Sequence, residues 1–302
     1  MKLKPYTTAP FLAAFVYLLT ICAENILAGI DATTDGYFYI FGGIQLAAYI
    51  IPLALYALLF GGLSFKRMRF SLPTGVSTPL QILLLLILLI GTSLISLLLK
   101  RLGIVSFEEG GYTGGTPSLL GLFIAAIVPA VCEEILFRGV IMSSFEPCGI
   151  FPAVIGSSLL FAFAHMSFEE LLLYVFAGVV LAFSVYVSRS LITAIVLHAI
   201  YNVTTLCFGN YLSGIAAHLE SFSLLFILLL FGLWVLVLIA LTEGSRVYRV
   251  YAERALDSSY TPKKMTPAER IKGNASVFLS VPFLMAALVY IAIVIFSMQE
   301  IA

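Results

Sequence analysis

The chain has 302 residues, of which 61% are hydrophobic and only 11% charged, with acidic and basic side chains in equal number. Soluble domains carry about 25% charged residues, and a water-soluble core of this size could not hide so much apolar surface, so part of the solvent must be lipid. The balanced charge leaves no global basic field of the kind nucleic-acid binders use, and no nucleic-acid partner is expected.

A membrane-spanning helix needs roughly 20 consecutive apolar residues. The first such run, 10–30, follows Lys2 and Lys4. It is longer than the apolar core of a secretory signal and reads as a span rather than a removable leader. A short polar link, Asp31 to Gly36, separates it from the second run at 37–61, and the third follows at 79–99. Beyond the Gly110 to Pro117 link come runs at 118–142, 149–166, 170–188 and 191–208. The eighth, 222–242, precedes a polar stretch at 243–274, and the ninth covers 275–297. Ser167 with Glu170 has the spacing of a capping box that would start the sixth span, and Thr266, Pro267 and Glu269 form a similar helix start before the ninth. The fold class expected is therefore all-α: a polytopic membrane protein of about nine transmembrane helices. Four cysteines occur without a CxxC pair, which argues against a disulfide framework or a zinc knuckle.

Charge fixes the expected orientation. With the N-terminus inside, Lys2, Lys4, Lys66, Arg67, Arg69, Arg138, Arg189 and the seven cations Arg246 to Lys272 all fall on the inner side, and only Lys100 and Arg101 fall outside. Cytoplasmic loops favour Lys and Arg, so the expectation is a multi-pass protein of the cell membrane with a cytoplasmic N-terminus and an external C-terminus. The 243–274 stretch then faces anionic lipid as a basic cytoplasmic loop, either a topogenic linker or a docking element.

Charged groups inside a span cost at least about 2.5 kcal/mol each on the insertion scale, so those that persist point to pairing or function. The fourth span reads IVPAVCEEILFRGV. Glu134 and Arg138 are four apart, on one helical face and within reach of an ion pair. Glu133 points about 100° away, lacks that partner, and is the better candidate for proton transfer. In the fifth span Phe161 and His165 share a face, and in the seventh His198 and Asn202 do. At about 1.5 Å per residue, Glu133, His165, His198 and Asn202 lie roughly 18, 22, 12 and 18 Å from the inner ends of their helices. One layer can therefore hold them all. Glu24 and Asn25 in the first span, and His218 in an outer loop, are read as peripheral.

This constellation suits amide hydrolysis. Glu133 and His165 would bind and activate a water, His198 and Asn202 would donate hydrogen bonds to the developing oxyanion, and Glu134 with Arg138 would orient the catalytic helix. No cofactor is expected. The rival is zinc held by Glu133, His165 and His198, since two His plus Glu is a known catalytic set, although HExxH is absent.

At these residues the chain resembles the CPBP family, which unites the type 2 CAAX prenyl endopeptidases with bacteriocin-processing and immunity proteins. The family pattern EExxxR, FxxxH, HxxxN/D stands here as Glu133-Glu134-x-x-x-Arg138, Phe161-x-x-x-His165 and His198-x-x-x-Asn202. The resemblance covers about 118–208. It implies an all-helical membrane fold with a site open to the cytoplasmic side. It also implies an endopeptidase in which Glu133 and His165 activate water while His198 and Asn202 form the oxyanion hole. The family was long described as metal-dependent, and a glutamate-type mechanism is now the better description. The chain would then divide into N-terminal helices (1–117), a CPBP-like catalytic core (118–208) and C-terminal helices with the basic loop (209–302). Its partners would be the lipid bilayer and a hydrophobic or lipidated peptide, of which a prenylated CAAX substrate is one version. Intramembrane carboxylates and histidines also build proton relays. A transporter, or an immunity protein that binds peptides without cutting them, is therefore the alternative; no inverted repeat or pair of broken helices favours transport.

Overall fold

The computed structural model describes residues 4–27, 35–60, 68–104, 118–220, 223–253 and 265–301. Among them there is helix and turn but no strand. In chain order the helices are α1 (Pro5–Leu27), α2 (Asp35–Phe60), α3 (Thr78–Arg101), α4 (Leu119–Cys148), α5 (Ile150–Phe163), α6 (Leu171–Ser188), α7 (Leu191–Glu220), α8 (Ser223–Glu253), α9 (Pro267–Phe278) and α10 (Val281–Ile301). Seven of the described helices are long and apolar enough to cross a bilayer, and α9 with α10, bent by 49°, makes an eighth. The protein is an all-α, multi-pass membrane protein, as its apolar runs predict.

Three elements differ from the expected spans. The fifth run forms a helix of 14 residues, about 21 Å long, against a hydrocarbon core of about 30 Å. It stops at Phe163, and Met166 takes a left-handed conformation (φ 54°) that turns the chain back towards α6. His165 therefore sits just past the end of a short helix. The second difference is α8, which continues to Glu253 instead of ending near 242. Its added turns carry Val247 and Tyr251, both buried. The Tyr251 hydroxyl accepts from the Thr74 backbone N–H (3.3 Å) and the Thr74 hydroxyl (2.8 Å). Much of the expected 243–274 loop is thus helix, as the end of α8 and the whole of α9; its middle, 254–264, lies outside the described residues. The third is the ninth run, which is broken where α9 meets α10.

Helix starts follow their local chemistry. Thr266 and Glu269 form the predicted reciprocal capping box ahead of α9, with Pro267 in the first turn, where its missing N–H costs nothing. At α6 only half of the predicted box forms. The Ser167 hydroxyl accepts from the Glu170 N–H (3.1 Å), but the Glu170 carboxylate takes the Tyr174 hydroxyl (2.9 Å) instead.

One buried hydrophobic cluster runs from Ala9 in α1 to Ala286 in α10. Within it α4 is central, packed against α2, α5 and α7, while α5 packs along α6 and α1 lies between α2 and α10. Without a strong hydrophobic drive between helices in lipid, close approach depends on small residues. At Gly178 of α6 a Cβ would stand 2.9 Å from the Ser158 Cβ and 3.0 Å from its Cα. Only glycine permits this α5–α6 contact, which also turns the Gly178 carbonyl towards α4. Gly178→Ala is predicted to overpack the contact and cost about 1–3 kcal/mol, read as a lower thermal unfolding midpoint in detergent.

Candidate active site

The site is built on an irregular helix. In α4, wide π-type turns at Phe123–Ile127 and Ile135–Met142 flank the regular segment Val128–Glu134. Pro129 supplies no N–H to the turn before it, where the first wide stretch lies. Such π segments recur at functional sites, and here they bracket the two glutamates.

Arg138 is 2% exposed, and its charge is met from several sides. Nη1 donates to Glu134 Oε1 at 2.8 Å, and Nη2 donates to the Gly178 carbonyl at 3.0 Å. The guanidinium lies 4.3 Å from the centre of the Phe161 ring, a cation–π contact of up to about 2 kcal/mol when desolvated. The ion pair expected from the i, i+4 spacing is therefore formed, between side chains with no solvent exposure. Phe161 also meets Phe137, His165 and His198 edge-on, so one aromatic ring separates and spaces the polar groups.

Glu134 Oε1 takes a second donor, His198 Nδ1, at 2.8 Å. This fixes the His198 ring so that Nε2 points to Glu133 Oε2, 3.9 Å away, too far for a hydrogen bond but close enough for both atoms to touch one small group. Among the described residues Glu133 Oε2 has no hydrogen-bond partner in the protein, although it is buried. His165 Nδ1 lies 3.0 Å from the Phe161 carbonyl, and its ring stacks on Tyr174 with centroids 3.8 Å apart. A carbonyl can only accept, so Nδ1 carries the proton and Nε2 presents a lone pair. Asn202 Nδ2 donates to the Ala126 carbonyl (3.2 Å) in the first wide turn of α4, which commits one of its two amide hydrogens.

The residues singled out in the sequence thus occupy one region. Glu133, Glu134, Arg138, Phe161 and His198 form a continuous contact network, His165 joins it through Phe161, and Asn202 ties α7 to α4. The side chains of Glu24, Asn25 and His218 lie outside the described residues. Among the described residues no group of three or more His, Cys, Asp or Glu is gathered to hold a metal ion. The Nδ1 atoms of His165 and His198 are taken by the Phe161 carbonyl and Glu134, and the Nε2 of each ring is left open.

Sequence reasoning missed three contributors. Tyr174 stacks on His165, and its i, i+4 spacing from Glu170 was the available signal. The Gly178 carbonyl is a backbone group with no side-chain signature. Tyr49 of α2, buried on the helix that packs against the glutamate segment of α4, lies in an apolar run far from the motifs.

The fold and site define a multi-pass helical membrane protein with a buried Glu-Glu-Arg-His network. Residues 115–204 match the family model of the type II CAAX prenyl endopeptidases, described as Rce1-like. That segment is just under a third of the chain and holds all three motifs, so the resemblance drawn from them is borne out: this segment is similar to a family of prenyl endopeptidases. No curated protein and no solved structure matches the chain.

Arg138→Ala would leave Glu134 buried without its counter-ion, a change that typically costs about 3–5 kcal/mol. Arg138→Lys keeps the charge but cannot reach Glu134 and Gly178 together from one planar fork. The expected order of unfolding midpoints in detergent is wild type above Lys above Ala.

Proposed function

We propose that the protein is an intramembrane endopeptidase that hydrolyses a peptide bond in a hydrophobic or lipidated substrate, using water activated by Glu133 and His165. The observation that carries this reading is Glu133 Oε2, a buried carboxylate oxygen without a protein partner, set 3.9 Å from His198 Nε2. A carboxylate buried this way is costly as structure alone and suited to binding a water or a reacting group.

In this reading His165 Nε2 and Glu133 share the proton of the attacking water as its oxygen adds to the scissile carbonyl carbon. The carbonyl oxygen becomes an oxyanion. His198, donating through Nδ1 to Glu134, can also donate through Nε2 when both ring nitrogens are protonated, and the Glu134 carboxylate balances that charge. The second amide hydrogen of Asn202 supplies a further donor. Collapse of the tetrahedral intermediate breaks the C–N bond, and Glu133 returns the proton to the leaving amine. Glu134, Arg138 and Phe161 position these groups. No step is routed through a metal.

The distribution of basic residues supports a cell-membrane protein with its N-terminus in the cytoplasm and its C-terminus outside. The family's name makes prenylated C-terminal peptides the first substrates to test.

The deciding experiment compares wild type with Glu133→Gln in detergent, on prenylated and unprenylated hydrophobic peptides, with and without a chelator. The expected result is cleavage by wild type that survives chelation. Glu133→Gln should lose about 10²–10⁴-fold in rate with an unchanged unfolding midpoint, because Oε2 bonds to nothing in the described protein. Equal cleavage by both proteins would remove Glu133 from the chemistry. Loss on chelation would bring a metal into it, and no cleavage of any peptide would favour transport or peptide binding.

A further inference from the structure

The turn that carries His165 is held by two tyrosines. The first comes from α10, which lies outside the matched segment 115–204. There Tyr290 stacks on Phe163 with centroids 4.5 Å apart and donates its hydroxyl to the Ser167 carbonyl at 3.1 Å. The Ser167 hydroxyl in turn accepts from the Glu170 N–H at 3.1 Å, and the Glu170 carboxylate accepts from the Tyr174 hydroxyl at 2.9 Å. The Tyr174 ring then lies on the His165 ring, with centroids 3.8 Å apart and planes 22° from parallel. A Glu170 carboxylate that closed the capping box would reach back to the backbone of Ser167 and leave the phenol without this acceptor.

His165 needs such support, because it lies two residues past the end of α5 and next to the left-handed Met166. Its Nδ1 contact with the Phe161 carbonyl fixes one ring atom but lets the ring plane rock about it. Phe161 meets the ring edge-on at 4.7 Å. The flat face of Tyr174 removes the remaining freedom. From this geometry we infer that Tyr174 is a positioning residue for His165: its ring, anchored by Glu170, sets the plane of the imidazole and so the direction in which Nε2 meets the reacting water. The phenol proton is committed to Glu170, so Tyr174 is not placed as a second acid. An aromatic face also suits the imidazolium that forms when Nε2 takes a proton.

The inference rests on the proposed role of His165, and the test separates the two. Wild type, Tyr174→Leu, Tyr174→Met, Tyr174→Phe, Tyr56→Phe and His165→Gln are compared in detergent on a quenched fluorescent peptide ending in a farnesylated Cys-Val-Ile-Met. Tyr174→Leu and Tyr174→Met both remove the ring, so one folded variant of the two is enough. Tyr56 is the control: it bonds Thr8 of α1 at 2.9 Å, in a contact between α1 and α2 that does not involve His165. Tyr174→Leu and Tyr174→Met are expected to lower kcat about 10- to 100-fold with KM within about twofold. Tyr174→Phe keeps the ring and loses only the bond to Glu170, so its kcat stays within about fivefold of wild type, and Tyr56→Phe keeps the wild-type kcat. A second readout needs no substrate. The protein has three histidines, and the ring-proton NMR signals that vanish in His165→Gln are those of His165. A stacked ring shields these protons, so their signals should move downfield in Tyr174→Leu and Tyr174→Met and keep their place in Tyr174→Phe and Tyr56→Phe. The inference is overturned, with the role of His165 standing, if the variants without a ring keep the kcat of Tyr56→Phe or leave these signals unmoved. The same follows if Tyr174→Phe falls as far as they do, or if neither of them folds, which would make the ring a support for the fold. If His165→Gln cleaves as wild type does, or wild type does not cleave, the role of His165 falls and the positioning role with it.

Discussion

A guanidinium buried among apolar helices needs partners for its charge, and Arg138 has them at both terminal nitrogens and on its flat face, while its Nε has none among the described residues. Its two terminal nitrogens reach Glu134 and the Gly178 carbonyl, and its flat face rests over Phe161. These partners come from α4, α6 and α5, and Glu134 passes the constraint on to α7 through His198. One charge thereby fixes the relative position of four helices. The positions of the other polar groups follow from it. Glu133, next to Glu134 on the helix, is turned away from the arginine, towards His198 Nε2 and α2.

The two histidines illustrate how a neighbour sets chemical character. His165 donates to a backbone carbonyl and keeps a lone pair on its far nitrogen. His198 donates to a carboxylate, which can balance a positive ring. In the neutral form both rings donate through Nδ1 and keep a lone pair on Nε2, and of the two His198 has the carboxylate hydrogen-bonded to it. The shortness of α5 matters here as well. Because the helix ends at Phe163, the chain turns towards α6 just beyond it, and His165 stays beside the Phe161 ring that also meets His198 and Arg138.

At the other end of α4 a second polar cluster closes the bundle. Arg69 pairs with Glu146 at 2.9 Å, and its carbonyl accepts from the Leu191 N–H at 3.0 Å. The Ser71 hydroxyl donates to the Arg189 carbonyl at 3.1 Å, and Arg189 lies over the rings of Tyr248 and Tyr251. These contacts join the approach to α3, the start of α7 and the last turns of α8. They account for the length of α8: its polar end is a docking segment for the body of the protein rather than a free loop. The histidine-bearing α7 is therefore held at both depths, by its first residue here and by His198 and Asn202 further along.

Much of this was legible in the chain itself. Lipid imposes a length and an apolarity on each span, so every apolar run emerged as a helix. Helical periodicity alone placed Glu134 beside Arg138, and Thr266 with Glu269 marked the start of α9. Charges placed in lipid are so costly that the glutamates, the arginine and the two histidines stood out without any coordinates. What the sequence could not carry were contacts between distant segments and groups without a distinctive side chain. The Gly178 carbonyl is a backbone atom like any other until the α5–α6 contact points it at Arg138. Residue type and spacing determined which groups had to be buried together. The packing of one helix on another decided that Glu134 is held through Oε1 by Arg138 and His198 while Glu133 Oε2 has no partner among the described residues, because a hydrogen bond's direction is set by the position of both partners and the chain specifies only one at a time.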